Sequence, residues 1–138
     1  MEPAPFRTLP GDPSPPARAF WVRADDGIRL RLAHWPAATG PDAGPAGTIL
    51  LFPGRTEYLE KYVEVGRELA AGGFHVLAAD WRGQGMSDRL QADRRPGHVI
   101  DFADFQRDVV ELVIAAQDLD LPQPWHLLAH SMGGAIGL

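Results

Sequence analysis

Three short apolar runs, Thr48-Ile49-Leu50-Leu51-Phe52, Phe74-His75-Val76-Leu77-Ala78-Ala79 and Trp125-His126-Leu127-Leu128-Ala129, constrain this chain more than any other feature. Each is too short for an ordinary helix, and each ends at a turn or a glycine-bearing segment. Runs without regular polar alternation suit strands buried on both faces. Between them the period changes. Residues 57–71 place Tyr58, Leu59, Tyr62, Val63, Val65, Leu69 and Ala70 mostly at helical spacing, with Thr56 available as N-cap and Gly72-Gly73 as the stop. A second helix is expected from Asp101 as N-cap, burying Phe102, Phe105, Val109, Val113 and Ala116, and closed off by Pro122 and Pro124. Helices alternating with apolar strands imply parallel pairing with right-handed crossovers. The expected architecture is an open α/β sheet whose functional loops lie at the C-terminal ends of its strands.

Ahead of these units, residues 19–35 read as a hairpin. Phe20 and Val22 share one face, Asp25-Asp26-Gly27 is the turn, and Ile28, Leu30 and Leu32 alternate with arginines, so one face of the return strand is expected to be wet. Residues 1–16 hold six of the 13 prolines and no apolar periodicity. They read as an extended or disordered leader, with the folded domain running from 19 to 138 and residues 1–18 outside it. The leader lacks the basic start and apolar stretch of a secretion signal, and no run approaches 18 apolar residues, so a cytoplasmic product is expected. Absence of cysteine excludes thiol catalysis, disulfides and cysteine metal sites. A net charge of -5 argues against nucleic-acid partners.

The residues that carry chemistry fall at the strand ends. Ala129-His130-Ser131-Met132-Gly133-Gly134 follows the third run with the pattern small-x-Ser-x-Gly, a nucleophile elbow in which a sharp strand-to-helix turn exposes a serine hydroxyl. Small neighbours are needed because strand and helix nearly touch; Gly133 and Gly134 are expected to keep the helix side open. Ser131 is therefore the candidate nucleophile. A helix N-cap is the bland alternative for a serine in this position. The developing oxyanion needs two donors. The Met132 N–H, at the start of a helix, is one; Arg55, in the loop opened by Pro53-Gly54, is the candidate for the other through its backbone N–H. Asp80-Trp81-Arg82-Gly83-Gln84-Gly85-Met86-Ser87-Asp88 reads as a glycine-bearing turn in which Asp80 accepts backbone hydrogen bonds and Ser87 is a turn residue. His130 is expected to point away from the site. His34, His75, His98 and His126 are read as structural. Glu57, Glu60, Glu64 and Glu68, with Lys61 and Arg67, are read as the solvated face of a helix.

Phe52-Pro53-Gly54-Arg55-Thr56-Glu57-Tyr58, the Asp80 turn and the Ser131 elbow, in this order and spacing, resemble the α/β-hydrolase superfamily, in particular its bacterial lysophospholipase and monoacylglycerol lipase branch. There a His-Gly oxyanion loop, an Asp-x-x-Gly-x-Gly-x-Ser turn and a Gly-His-Ser-Met-Gly-Gly elbow succeed one another. This chain differs at Pro53, Gln84 and Ala129. The resemblance implies the N-terminal part of an α/β-hydrolase fold: a mostly parallel sheet with an N-terminal antiparallel hairpin and flanking helices. Gly54, Asp80, Gly83, Gly85, Ala129, His130, Gly133 and Gly134 would support the elbow and turn.

The resemblance also implies hydrolysis of a small lipid or other carboxylic ester through an acyl group on Ser131, without metal or cofactor. The acid and histidine, and the cap over the acyl pocket, would come from sequence beyond Leu138. On that reading these 138 residues are a truncated protein with half an active site, inactive alone. Contact with the periphery of the inner membrane is compatible with such substrates. Within the same fold, esterase, peptidase and thioesterase activities stay open. A reading from another class is a non-catalytic remnant that pairs with a complementing chain along an exposed last strand.

Overall fold

The computed structural model describes residues 1–8, 17–39, 44–90 and 98–138. Among these described residues six strands form one sheet: β1 (Glu2–Pro3), β2 (Arg18–Arg23), β3 (Arg29–Trp35), β4 (Gly47–Phe52), β5 (Phe74–Asp80) and β6 (Trp125–Ala129), in the order β1-β2-β3-β5-β4-β6. The contacts β1–β2, β2–β3 and β3–β5 are antiparallel, while β4 lies parallel to both β5 and β6. The expected hairpin and the expected parallel centre meet in one sheet.

Alternation along β4 shows why an apolar run suits its place. Ile49 and Leu51 join Trp35, Leu59, Val76 and Ala78 on the face covered by α1 (Val63–Ala71). Leu50 and Phe52 join Leu30, Leu32, Leu77 and Trp81 on the face covered by α2 (Phe105–Asp118) and α3 (Met132–Ile136). Every β4 residue is buried. Burial of this kind is worth about 25 cal/mol per Å² of apolar surface, which makes the β4–β5 centre the anchor of the fold.

Several expectations need correction. The leader is not wholly disordered: Glu2–Pro3 pairs with β2, the Ala4 N–H donates to the Ala19 carbonyl at 2.9 Å, and Phe6 meets Trp35 edge-on at 6.0 Å. Arg18 already belongs to β2. Proline suits an edge strand, where a missing N–H faces no partner. Residues 9–16 of that leader, and 91–97 of the expected polar loop, lie outside the described residues.

The return strand β3 has no wet face at its middle. Arg31 is fully buried, and its guanidinium bonds to Asp80 at 2.7 Å and to Glu60 at 2.8 Å. An arginine can be buried where carboxylates neutralise it and accept its fork of donors. Glu60 consequently does not belong to a solvated face.

The first helix begins later than its apolar pattern implies. Residues 59–62 form a 3-10 turn, α1 starts at Val63, and Thr56 caps nothing: it stands at φ 63 with its hydroxyl donating to the Arg55 carbonyl. Asp101 does cap, through a capping box on the 3-10 turn Phe102–Asp104 that leads into α2. Phe102 itself is exposed rather than core, and Val109 and Val113 are half-buried. Leu112, Ala115 and Ala116 form the buried stripe with Phe105. Among the described residues the third apolar run has a strand on one side only, and Leu127 is 50% exposed and Leu128 43%. Among the described residues no helix is long and apolar enough to cross a membrane.

Candidate functional site

Parallel pairing of β4 with β6 sets two strand ends side by side. Phe52 is paired with Ala129, and the ladder continues through the His130 N–H, which donates to the Phe52 carbonyl at 3.0 Å. The segment after β4, carrying Gly54 and Arg55, therefore lies beside the segment after β6, carrying Ser131 and Met132. An open cleft of about 570 Å³ is lined by Arg55, Ser131, Met132, His98, Val99, Phe102 and Phe105.

Ser131 stands between β6 and α3 at φ 53, ψ -120, a conformation that L residues adopt only under constraint. Its side chain makes no helix-capping hydrogen bond, so the N-cap role is not what holds it there. Gly133 explains how strand and helix come so close: a Cβ there would lie 2.2 Å from the Phe52 carbonyl oxygen. Gly134 has open space where its Cβ would stand, so the expected need for a second small residue is confined to Gly133.

The loop after β4 is fastened at nearly every polar atom. The Trp81 indole N–H donates to the Pro53 carbonyl at 2.8 Å, the Gly54 N–H donates to Glu57 at 2.6 Å, and the Thr56 N–H donates to Gln84. Pro53 has no N–H. Among the described residues, neither the Arg55 N–H nor the Met132 N–H donates to a partner within the chain. Arg55 and Met132 line the same cleft as Ser131, and Met132 stands at a helix start, where backbone N–H groups lack intrahelical partners.

The Asp80 turn supports this loop from below. Asp80 is buried, bound by Arg31, and accepts the Leu59 N–H and the Met86 N–H, both at 2.9 Å. Gly83 at φ 77 and Gly85 at φ 51 shape the turn, and a Cβ on Gly85 would strike the Asp80 carboxylate at 2.1 Å. The Ser87 hydroxyl donates to the Asp80 carbonyl and accepts the Arg31 N–H, the work of a turn residue. Gln84, standing within this turn, reaches the loop after β4 directly through Thr56.

Glu57 is the residue that sequence reasoning missed. Read as solvated, it is only 13% exposed and accepts from Gly54, from the Tyr62 hydroxyl at 2.5 Å and from Lys61 at 3.3 Å, with His130 Nδ1 at 3.2 Å. Burial pushes its carboxyl upward, but these donors outweigh burial and hold it at about 2. Burial and the adjacent carboxylate push the Tyr62 phenol up. The signal was the spacing Gly54-x-x-Glu57, the same reach-back of a carboxylate to an N–H three residues earlier that a capping box uses. His130 extends from the strand end onto Glu57 and does not line the Ser131 cleft.

Other titratable clusters lie away from the cleft. His34 and His75 stack at 5.2 Å on neighbouring strands, and burial, then His75 and Arg18, pull His34 down to about 4. A larger hollow of about 990 Å³ lies along Tyr58, Lys61, Gln84 and Arg89 and does not reach Ser131; Thr8 and Arg89 on its walls adjoin segments outside the described residues. No group of three or more metal-ligating side chains occurs among the described residues.

A family model described as "Serine aminopeptidase, S33" matches residues 43–138. Lysophospholipase L2 of Escherichia coli (strain K12) is 46% identical over 91 residues, a match covering 64% of this chain and 26% of that protein. A monoacylglycerol lipase of Mycolicibacterium smegmatis is 33% identical over 110 residues, covering 80% of this chain and 36% of that protein. The chain thus spans about a quarter to a third of the length of these relatives. Among solved structures, Est1E from Butyrivibrio proteoclasticus, bound to ferulic acid, superposes with a TM-score of 0.68 at 23% identity, over 86% of this chain and 45% of that one. At that identity the likeness concerns the fold, and the fold is that of the α/β-hydrolases.

Proposed function

Because the chain belongs to the serine aminopeptidase S33 family of α/β-hydrolases, we propose that it carries the nucleophile and the oxyanion site of a hydrolase acting on lipid carboxylic esters. Ser131 Oγ attacks the ester carbonyl, the N–H groups of Arg55 and Met132 hold the oxygen as it becomes an anion, and the alcohol departs to leave an acyl group on Ser131. Water then releases the fatty acid and restores the hydroxyl. The histidine that takes the serine proton and the acid that orients it belong, by family resemblance, to sequence after Leu138. The observation that supports this reading is that Arg55 and Met132, whose N–H groups have no partner among the described residues, line the same cleft as a serine held at φ 53. The relatives' names, a lysophospholipase and a monoacylglycerol lipase, supply the substrate class.

Between those two substrates the Arg55 side chain favours the lysophospholipid. It lines the Ser131 cleft and has no carboxylate partner among the described residues, so it can meet the negatively charged phosphate within a phospholipid head group. The test compares hydrolysis of lysophosphatidylethanolamine and of monoacylglycerol by the protein carrying any sequence that follows Leu138 in its gene. Ser131→Ala should abolish both activities, and Arg55→Gln should depress the first about tenfold or more relative to the second. Equal effects on the two substrates would remove the head-group role. Activity surviving in Ser131→Ala would remove the nucleophile.

A second reading is favoured by the β6 edge, where Leu127 and Leu128 are half exposed. On that reading the chain is a non-catalytic piece that pairs with another chain along β6. Light scattering of the 138-residue product discriminates: a stable, inactive hetero-complex with a downstream fragment supports it, and an active complex returns the enzyme reading.

A further inference from the structure

The oxyanion reading requires two amides, one after β4 and one after β6, to stay at a fixed separation, and one carboxylate touches both segments that carry them. Glu57 Oε2 accepts the N–H of Gly54, the residue before Arg55, at 2.6 Å. The same oxygen lies 3.2 Å from Nδ1 of His130, the residue before Ser131. Its position is fixed in turn by the Tyr62 hydroxyl at 2.5 Å, which comes from the 3-10 turn that leads into α1. Space is tight around this junction: a Cβ on Gly54 would lie 2.9 Å from Glu57 Oε2, 3.1 Å from His130 Nδ1 and 3.2 Å from the Ser131 Cβ. The loop and the elbow are thus packed on either side of one acid.

We propose that Glu57 is a positioning residue that fixes the Arg55 amide against the Ser131–Met132 elbow, by gripping Gly54 and His130 with a single carboxylate oxygen. The inference rests on the reading of Ser131, Arg55 and Met132 given above. Backbone contacts already bring the strands together, through the His130 N–H on Phe52 and through Gly133. They do not reach past Pro53; there the Thr56 N–H on Gln84 holds the loop on one side of Arg55, and Glu57 holds it on the other, at the amide next to the donor. A donor displaced by a fraction of an ångström still binds substrate but stabilises the anion poorly, so the loss falls on the chemical step. The ionised carboxylate suits this role because charge-assisted bonds are roughly twice as strong as neutral ones.

The experiment uses the protein carrying any sequence that follows Leu138. Active sites are titrated with a fluorophosphonate, and acylation rate constants and KM are then measured per titrated serine for wild type, Glu57→Ala and Glu57→Gln. Glu57→Ala should lower the acylation rate constant about 10- to 100-fold with KM within about twofold. Glu57→Gln, which keeps an acceptor of the same shape without the charge, should recover part of that loss. A purely structural role would lower the titrated fraction and the melting temperature while leaving the rate per titrated serine unchanged, and that result overturns the inference. If the alanine variant fails to fold, the glutamine variant decides: a loss of about threefold or more per titrated serine upholds the inference, and an unchanged rate overturns it. Wild type that folds but is not labelled at Ser131 overturns the nucleophile reading itself, and the inference with it.

Discussion

β4 and β6 are neighbours of almost the same character, yet they live in different surroundings. Leu51 of β4 and Leu128 of β6 face each other in register; Leu51 is 1% exposed and Leu128 43%. Among the described residues β4 has a strand on each side and helices on both faces, whereas β6 has a strand on one side only. An apolar run therefore states a capacity for burial, and the neighbours decide whether that capacity is used. Within these 138 residues the Ser131 segment has little burial of its own. It is held by polar and close-packed contacts with the rigid centre: His130 N–H on Phe52, Gly133 against the same carbonyl, and Glu57 beneath Gly54.

The contrast can be broken most sharply by leucine truncation. Leu77→Ala, at a fully buried position on β5, should cost about 2–5 kcal/mol, and Leu128→Ala about 0.5 kcal/mol, both read by denaturant unfolding. Equal losses would mean that the edge is buried in solution. Next in size is the pair of elbow glycines. Gly133→Ala must move α3 away from the Phe52 carbonyl and should cost about 1–3 kcal/mol together with labelling at Ser131. Gly134→Ala, with open space, should be neutral or stabilising by up to about 1 kcal/mol.

A pH effect should mark the centre and spare the edge. His34, cross-strand from Leu77, is pulled down to about 4 by burial, so the unfolded chain takes up a proton near 6.5 while the folded chain resists. Stability contributed by neutral His34 is complete above pH 6.5 and is lost as pH falls from 6.5 toward 4. His34→Gln should flatten that slope in urea titrations at successive pH values. The smallest effect is expected at exposed Phe102, where Phe102→Ser should stay within about 0.5 kcal/mol.

Much of this molecule was legible in the residues. Apolar runs located β4, β5 and β6, Asp25-Asp26-Gly27 located the hairpin turn, and Gly72-Gly73 located the end of α1. What escaped was whatever depends on a distant partner. Arg31 looked like a solvent residue because alternation along β3 cannot reveal that Asp80 and Glu60 converge on it. Thr56 looked like an N-cap because its type fits one, but Glu57 turns back to Gly54 and delays the helix to Val63. Phe102 matched helical spacing, yet it sits in a 3-10 turn ahead of α2, where the phase of the pattern shifts. The same limit applied at the cleft: the turn after β6 was legible as a strand end, and the carboxylate of Glu57, which meets both Gly54 and His130, was not.

In the proposed function Ser131 is the nucleophile, and its oxyanion donors come from the segments after two neighbouring strands. The most direct measurement is covalent labelling by a fluorophosphonate, with the modified residue mapped by mass spectrometry, in the protein carrying any sequence that follows Leu138. Stoichiometric modification of Ser131, absent in Ser131→Ala, is the expected result. A folded protein that stays unmodified, or is modified elsewhere, would contradict the claim.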